Sequence, residues 1–402
     1  MQDHPYRWVI VAAGGVKGCI VMGALFALPV LLTPMTEASG WSRAGISGAM
    51  TIAFLAMSVM AMIWGALYDR FGPRPVVATG IVLFALGLFL AGRAPSLLAF
   101  QLSFGLVAGG SVGAAFTTMA LVMGWFTRQR GLAISLVSAG MGLAPVTMSP
   151  LAAALVASYD WRMVLTLLAL VCAVVCLPLT LLLRPAPPQA AAAEAAMPDA
   201  PPSSMTVRQA VTSPQFIVLV LTNFFCCATH SGPIFHTVSY AELCGIAAMT
   251  AVTIYSVEGI AGMGGRIGFG LLGDRFGARR VLATGLMLQA FGALGYYFAR
   301  DLWAFYAVAA FFGFIYAGIM PLYNVLVREN FPMKMLGTIM GGMGMAGSLG
   351  MASGPVLGGW IFDATGSYGG MYLTCFGMGL AAFAVAMTFR PFRQGGVAAV
   401  AA

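Results

Sequence analysis

Long apolar runs separated by short polar breaks dominate the chain. Twelve runs approach or exceed the roughly 20 residues a helix needs to cross hydrocarbon: 8–35, 44–67, 75–92, 96–123, 131–157, 161–183, 214–241, 249–273, 279–299, 302–327, 336–362 and 369–390. Pro145, Pro150, Pro321 and Pro355 fall inside three of them, which membrane helices tolerate where neighbours satisfy the freed carbonyls. One break differs in kind. Residues 185–213 are rich in Pro and Ala and lack an apolar period, so they read as a flexible linker with room for one short helix. The linker separates residues 1–184 from 214–402, six helices in each part.

Charge placement orients these helices. With the N-terminus in the cytoplasm, 14 of the 20 Lys and Arg fall on the cytoplasmic side and four on the other. The remaining two, Lys17 and Arg266, lie within helices. This asymmetry predicts both termini inside and supports an even helix count. The N-terminal run has no clear cleavage site and reads as a retained first helix. About 60% of residues are apolar and 8% charged, far below the roughly one quarter charged in soluble domains. The net charge of +8 is spread singly over short loops, which argues against nucleic acid as a partner. The seven cysteines show no CxxC pair, so neither a disulfide framework nor a metal site is expected, and no cofactor. Short loops and the lack of N-x-S/T sites fit a bacterial inner membrane.

The two parts repeat. Asp69-Arg70 returns as Asp274-Arg275, 205 positions later. WFTRQRGLA (125–133) corresponds to ENFPMKMLGTI (329–339), and AGMGLAP (139–145) to LGMASGP (349–355). Matches in one order at nearly one offset indicate duplication. The predicted fold is therefore an all-α membrane protein of twelve transmembrane helices in two pseudo-symmetric six-helix bundles. Such bundles hold their site between them near the midplane.

One stretch concentrates the candidate chemistry. Glu258 to Arg280 reads EGIAGMGGRIGFGLLGDRFGARR. A charge in hydrocarbon costs roughly 2.5–3.5 kcal/mol on insertion scales, so Arg266 and Glu258 call for a function. The Arg266 fork matches a carboxylate bidentately; the bland alternative is a structural partner. Glu258, eight residues earlier, lies about 12 Å away along the helix, too far to pair directly. Burial favours a neutral carboxyl and a neighbouring cation the charged form, so a site alternating between the two conditions can carry a proton. Gly262, Gly264, Gly265, Gly268 and Gly270 would let a neighbouring backbone approach. His230 and His236, in the seventh helix, are either proton switches or satisfied core histidines. Lys17 is expected to snorkel to the near surface. Tyr316 is a candidate donor to a carboxylate, with Phe116 and Leu28 as a candidate apolar wall. Gly109-Gly110-Ser111-Val112-Gly113 matches the G-x-S-x-G nucleophile pattern but sits inside an apolar helix. It lacks the strand–turn–helix context and reads as helix packing; no enzyme is expected.

GALYDRFGPR (65–74) and GLLGDRFGARR (270–280) resemble the loop signature of the major facilitator superfamily, and the resemblance spans the whole chain. Its Asp69, Arg70, Arg74, Asp274, Arg275 and Arg279 would serve as gating loops, Asp and Arg cross-bracing helix ends through charge-assisted bonds. GWSRAGIS (40–47), GGRIGFGLLGDRFG (264–277) and GPVLGGWIFDATGSY (354–368) are further similar to the monocarboxylate porter and oxalate–formate antiporter branch. That resemblance implies a small organic anion, with Arg266 engaging its carboxylate or taking part in proton coupling, and it adds His236 as a proton carrier. Read from the residues themselves, Tyr316, Phe116 and Leu28 complete the expected binding set, Glu258 is the other expected proton carrier, and a monomer in the bilayer is expected. Oxalate-type carriers add a lysine in the eleventh helix. No Lys or Arg occurs between Ala346 and Trp360 here, which favours a monoanion such as lactate, pyruvate or formate. Exchange instead of proton symport, and carriage of another organic acid or a drug, remain compatible with these residues.

Overall fold

The computed structural model describes residues 5–126, 130–185, 206–331 and 336–391. Among them the chain forms twelve helical rods and no strand. The first half holds α1 (Tyr6–Ser39), α2 (Arg43–Phe71), α3 (Pro73–Ala91), α4 (97–125), α5 (130–156) and α6 (Trp161–Leu181). The second holds α7 (Pro214–Leu243), α8 (Ala248–Phe276), α9 (Ala278–Phe298), α10 (Leu302–Asn330), α11 (Leu336–Thr365) and α12 (Gly369–Met387). Ten of these are long and apolar enough to cross a membrane. The other two, α8 and α11, are long enough but diluted with glycine. Of the linker, Val207–Val211 forms a short helix closed by a Thr206–Gln209 capping box; residues 186–205 lie outside the described ones.

Several rods are interrupted where the apolar pattern shows no sign of it. α1 breaks at Phe26-Ala27 and α5 at Leu143. Residues Gln101–Gly109 of α4 and Cys172–Cys176 of α6 are π-helical. In α4 the wide turn sets Gly105 and Gly109 against the backbone of α2 at Ala49 and Ala53, where a Cβ would collide. The G-x-S-x-G match thus packs helices together, and Ser111 spends its hydroxyl on the Val107 carbonyl at 2.5 Å.

Packing repeats with an offset of six rods. α1 packs on α5 as α7 packs on α11, α2 on α4 as α8 on α10, α3 on α4 as α9 on α10, and α3 on α6 as α9 on α12. The most extensive contacts between halves, α2 with α11 and α5 with α8, also exchange under that offset. This is the pseudo-two-fold arrangement expected from the sequence repeat. Because the rods alternate in direction and are even in number, α1 begins and α12 ends on one face, here called the termini face.

The two repeated turns are tighter than loops. Gly72 alone joins α2 to α3 and Gly277 alone joins α8 to α9, with φ of 80° and 87°, a region other residues rarely enter. Asp69-Arg70 and Asp274-Arg275 belong to the helix ends. Arg70 and Arg275 lie over Phe71 and Phe276, ring centroids 5.2 and 5.3 Å away, and Arg74 Nε donates to the Leu183 carbonyl at 2.6 Å. Arg279 is exposed at the start of α9. The expected acid–base cross-brace does not form at Asp274 among the described residues; the Asp69 side chain lies outside them.

At the opposite, far face the halves are latched. Asp363 of α11 accepts from the Arg43 and Ala44 backbone N–H groups at 3.2 and 2.9 Å, capping the N-terminus of α2. Arg43 donates to the Tyr368 hydroxyl at 2.9 Å and lies 4.4 Å over the Phe362 ring. Thr33 donates to Glu242 at 2.6 Å, and Thr51 to the Ala352 carbonyl at 2.6 Å.

Candidate functional site

Between the halves lies a cavity of about 300 Å³, walled by α1, α5, α7, α8, α10 and α11. Its lining is largely apolar and sulfur-rich: Met22, Phe26, Met141, Pro145, Met263 and Met351. Set into this wall are Ser149, His230, Tyr255, Glu258, Arg266 and Tyr316. Arg266 is its only cation and Glu258 its only carboxylate among the described residues.

α8 positions both charges because its glycines let α10 close on it. Gly265 abuts the Phe314 backbone, and a Cβ on Gly313 would lie 2.8 Å from Glu258 Cγ. Arg266 is exposed to the open side of the cavity. Its Nη1 makes a long 3.4 Å contact with the Ser138 carbonyl on α5. Its remaining donors have no partner among the described residues, and a guanidinium offers five. Glu258 sits deeper and is only 4% exposed. The Tyr296 hydroxyl donates to its Oε2 at 3.3 Å, and the Tyr316 hydroxyl faces the same carboxyl. The cavity thus presents a guanidinium with spare donors near the termini face and, about two turns deeper, a carboxyl facing two phenols.

The structure therefore brings Arg266, Glu258 and Tyr316 together, with His230 beside them. It keeps Leu28 and His236 apart. Leu28 is fully buried where α1 restarts after its break. His236 is fully buried behind the cavity; its Nε2 lies 2.9 Å from the Pro355 carbonyl and its ring packs between Phe235 and Tyr368. Phe116 belongs to α4, but its side chain lies outside the described residues. Lys17 does not snorkel. It is 1% exposed, and its ammonium donates to Thr118 inside the first half. Gly14 and Gly15 bring α1 against Thr118 of α4 and Gly140 of α5, so a hydroxyl partner lies within reach inside the first half.

Sequence reasoning passed over Tyr296 and Gln289 of α9. Gln289 is a lone amide in an apolar run, a signal that a polar partner waits inside the bundle. Among the described residues no His/Cys/Asp/Glu cluster could hold a metal ion.

Comparisons with known proteins agree with this architecture. The family model described as Major Facilitator Superfamily matches residues 16–273 and 267–400. Monocarboxylate transporter 13 of Bos taurus is 28% identical over 97% of this chain and 91% of its own length. Monocarboxylate transporter 11 of Mus musculus is 27% identical over 93% of this chain and 85% of its own. The crystal structure of the nucleoside transporter NupG superposes with a TM-score of 0.76 at 13% identity, covering 96% of this chain and 99% of that one. With a family model spanning nearly its whole length and a matching fold, this chain belongs to the Major Facilitator Superfamily of membrane transporters.

Proposed function

We propose that the protein is a secondary transporter for a small monocarboxylate of the lactate or pyruvate kind, moved with a proton by alternating access. The observation that carries this reading is Arg266, an uncommitted guanidinium in a largely apolar cavity between the halves. A guanidinium set in an apolar wall between the halves is costly without an anionic partner, and its fork suits a carboxylate. The names of the bovine and mouse relatives support the same substrate class.

The cycle follows from charge. A carboxylate entering the cavity docks on Arg266, and the pair is nearly neutral, which lowers the cost of occluding it. A proton taken up by Glu258 neutralises the second charge. The halves, residues 1–184 and 214–402, then rock about the cavity, with residues 185–213 as the tether. The Asp363–Arg43 and Thr33–Glu242 latches open at the far face. With the termini in the cytoplasm, as the Lys and Arg distribution predicts, the state described here faces inward.

The test is uptake of labelled lactate into proteoliposomes under an inward proton gradient. The wild type should accumulate lactate, and a protonophore should collapse the gradient-driven part. Arg266→Gln should lose at least about tenfold of the rate, the factor that 1.4 kcal/mol represents, while still inserting. Unchanged uptake by that variant would refute the carboxylate role. Uptake only by anion-loaded vesicles would replace symport with exchange, a second anion discharging Arg266.

A further inference from the structure

His230 takes no part in docking the carboxylate on Arg266 or in carrying the proton on Glu258. Its hydrogen bonds nevertheless set it up for a defined task. Gln289 of α9 is fully buried behind it. The Gln289 Nε2 lies 3.1 Å from the Cys226 carbonyl, an atom that can only accept, so the amide orientation is fixed. The Cys226 thiol donates to the amide oxygen at 3.3 Å, which completes the pattern. The same Nε2 lies 2.9 Å from His230 Nδ1. With the amide in that orientation the network assigns Nδ1 as the acceptor and places the neutral ring's hydrogen on Nε2. That nitrogen has no partner among the described residues, and the ring it belongs to lines the cavity. The ring is held in place by stacking on Tyr316 at 5.0 Å and 30°. A carbonyl, an amide and a tautomer in series thus leave a preset N–H donor on the cavity wall.

We propose that His230 reads an oxygen on the carbon beside the substrate's carboxylate, so that the protein selects 2-hydroxy and 2-oxo monocarboxylates over unsubstituted ones. This rests on the reading of Arg266 as the carboxylate anchor. His230 is only 5% exposed, so an acid without that oxygen leaves the imidazole N–H unpaired once it fills the cavity, and unpaired buried donors weaken binding by about tenfold or more. Tyr316, stacked on the same ring, holds its plane; Tyr255 occupies its own hydroxyl on the Ile234 carbonyl.

The experiment compares KM and maximal rate for lactate, pyruvate and propionate in proteoliposomes. It uses the wild type, His230→Phe, His230→Gln, Gln289→Leu and Arg266→Gln. The wild type should show a KM for lactate and pyruvate at least about tenfold below that for propionate. His230→Phe should raise the first two to the propionate value and leave propionate KM and maximal rate in place. His230→Gln, which keeps an N–H donor, should restore part of the preference. Gln289→Leu lies outside the cavity wall and frees the tautomer; it should weaken the preference without touching the wall, and it serves where His230→Phe does not fold. Equal KM values in the wild type, or an undiminished preference in His230→Phe, would overturn the proposal. Loss of all three acids in the wild type, or indifference of every KM to Arg266→Gln, would instead overturn the carboxylate reading beneath it.

Discussion

Five glycines surround Arg266, and they are not equivalent. A Cβ on Gly265 would run into the Phe314 backbone carbonyl, which cannot give way. One on Gly264 would rest 3.8 Å from the Phe314 ring, and one on Gly270 would meet nothing within 4 Å. Overpacking of this kind costs about 1–3 kcal/mol. Gly265→Ala should therefore lower the thermal unfolding midpoint in detergent by several degrees, whereas Gly264→Ala and Gly270→Ala should leave it in place; equal shifts in all three would show that the α8–α10 approach is not what the glycine provides. Glu258→Gln makes a second residue-scale prediction. It should abolish accumulation driven by a proton gradient while sparing lactate–lactate exchange, read as isotope counterflow without a gradient; persistent proton-driven accumulation would remove Glu258 from the coupling. The charges were legible in the sequence because hydrocarbon makes them expensive. The histidines were not. His230 and His236 are six residues apart on α7, about 120° around its axis, and only one direction leads to the cavity. Nothing local to the sequence marks that direction, so the resemblance drew attention to His236, which the fold spends on the Pro355 carbonyl.

At the scale of the element, α2 and α11 form a joint that depends on one carboxylate. Asp363 satisfies two backbone N–H groups at the start of α2, from the other half of the molecule. Ser42 already caps that helix locally by accepting from Gly45 at 3.0 Å, so Asp363 is not needed for α2 to form. Its work is to hold the two halves together through the positive end of the helix. An N-cap is worth about 0.5–2 kcal/mol, or roughly 2- to 30-fold in an opening equilibrium. Asp363→Ala should speed hydrogen exchange at the Arg43 and Ala44 amides by that factor, with exchange in the middle of α2 unchanged. Unaltered exchange at those amides would show that the latch bears no load. The count and order of the rods were readable from apolar runs, because burying a backbone in lipid leaves few alternatives to helix. The breaks at Phe26-Ala27 and Leu143 and the π-turns of α4 and α6 were not. They answer to what each rod packs against, and the apolar pattern continues through them.

For the whole molecule, the cross-half hydrogen bonds and the exposure of Arg266 define one state. Thr33–Glu242, Asp363 with α2, and Thr51–Ala352 close the far face, while Arg266 stands exposed nearer the termini face. The two joints, α2 with α11 and α5 with α8, exchange under the six-rod offset. A rocking motion that opens the first at the far face can tighten the second at the termini face without rebuilding either half. Gly142 is a suitable reporter. It lines the cavity on α5, and a Cβ there would meet nothing nearer than the Arg266 guanidinium at 3.6 Å. Cys19 and Cys244 are partly exposed and the other five cysteines buried, so Gly142→Cys in a Cys19→Ser, Cys244→Ser background isolates one accessible thiol. In oriented proteoliposomes a membrane-impermeant thiol reagent should label it from the termini face, and lactate should slow that labelling. Adding Asp363→Ala and Glu242→Ala removes the two carboxylates that latch the halves there, without touching the cavity. Labelling from the far face should then rise and labelling from the termini face should fall, because a thiol in a single alternating cavity cannot face both sides at once. A rise at the far face with no fall at the termini face would describe a leak through the bundle, and alternating access by rocking halves would have to be given up.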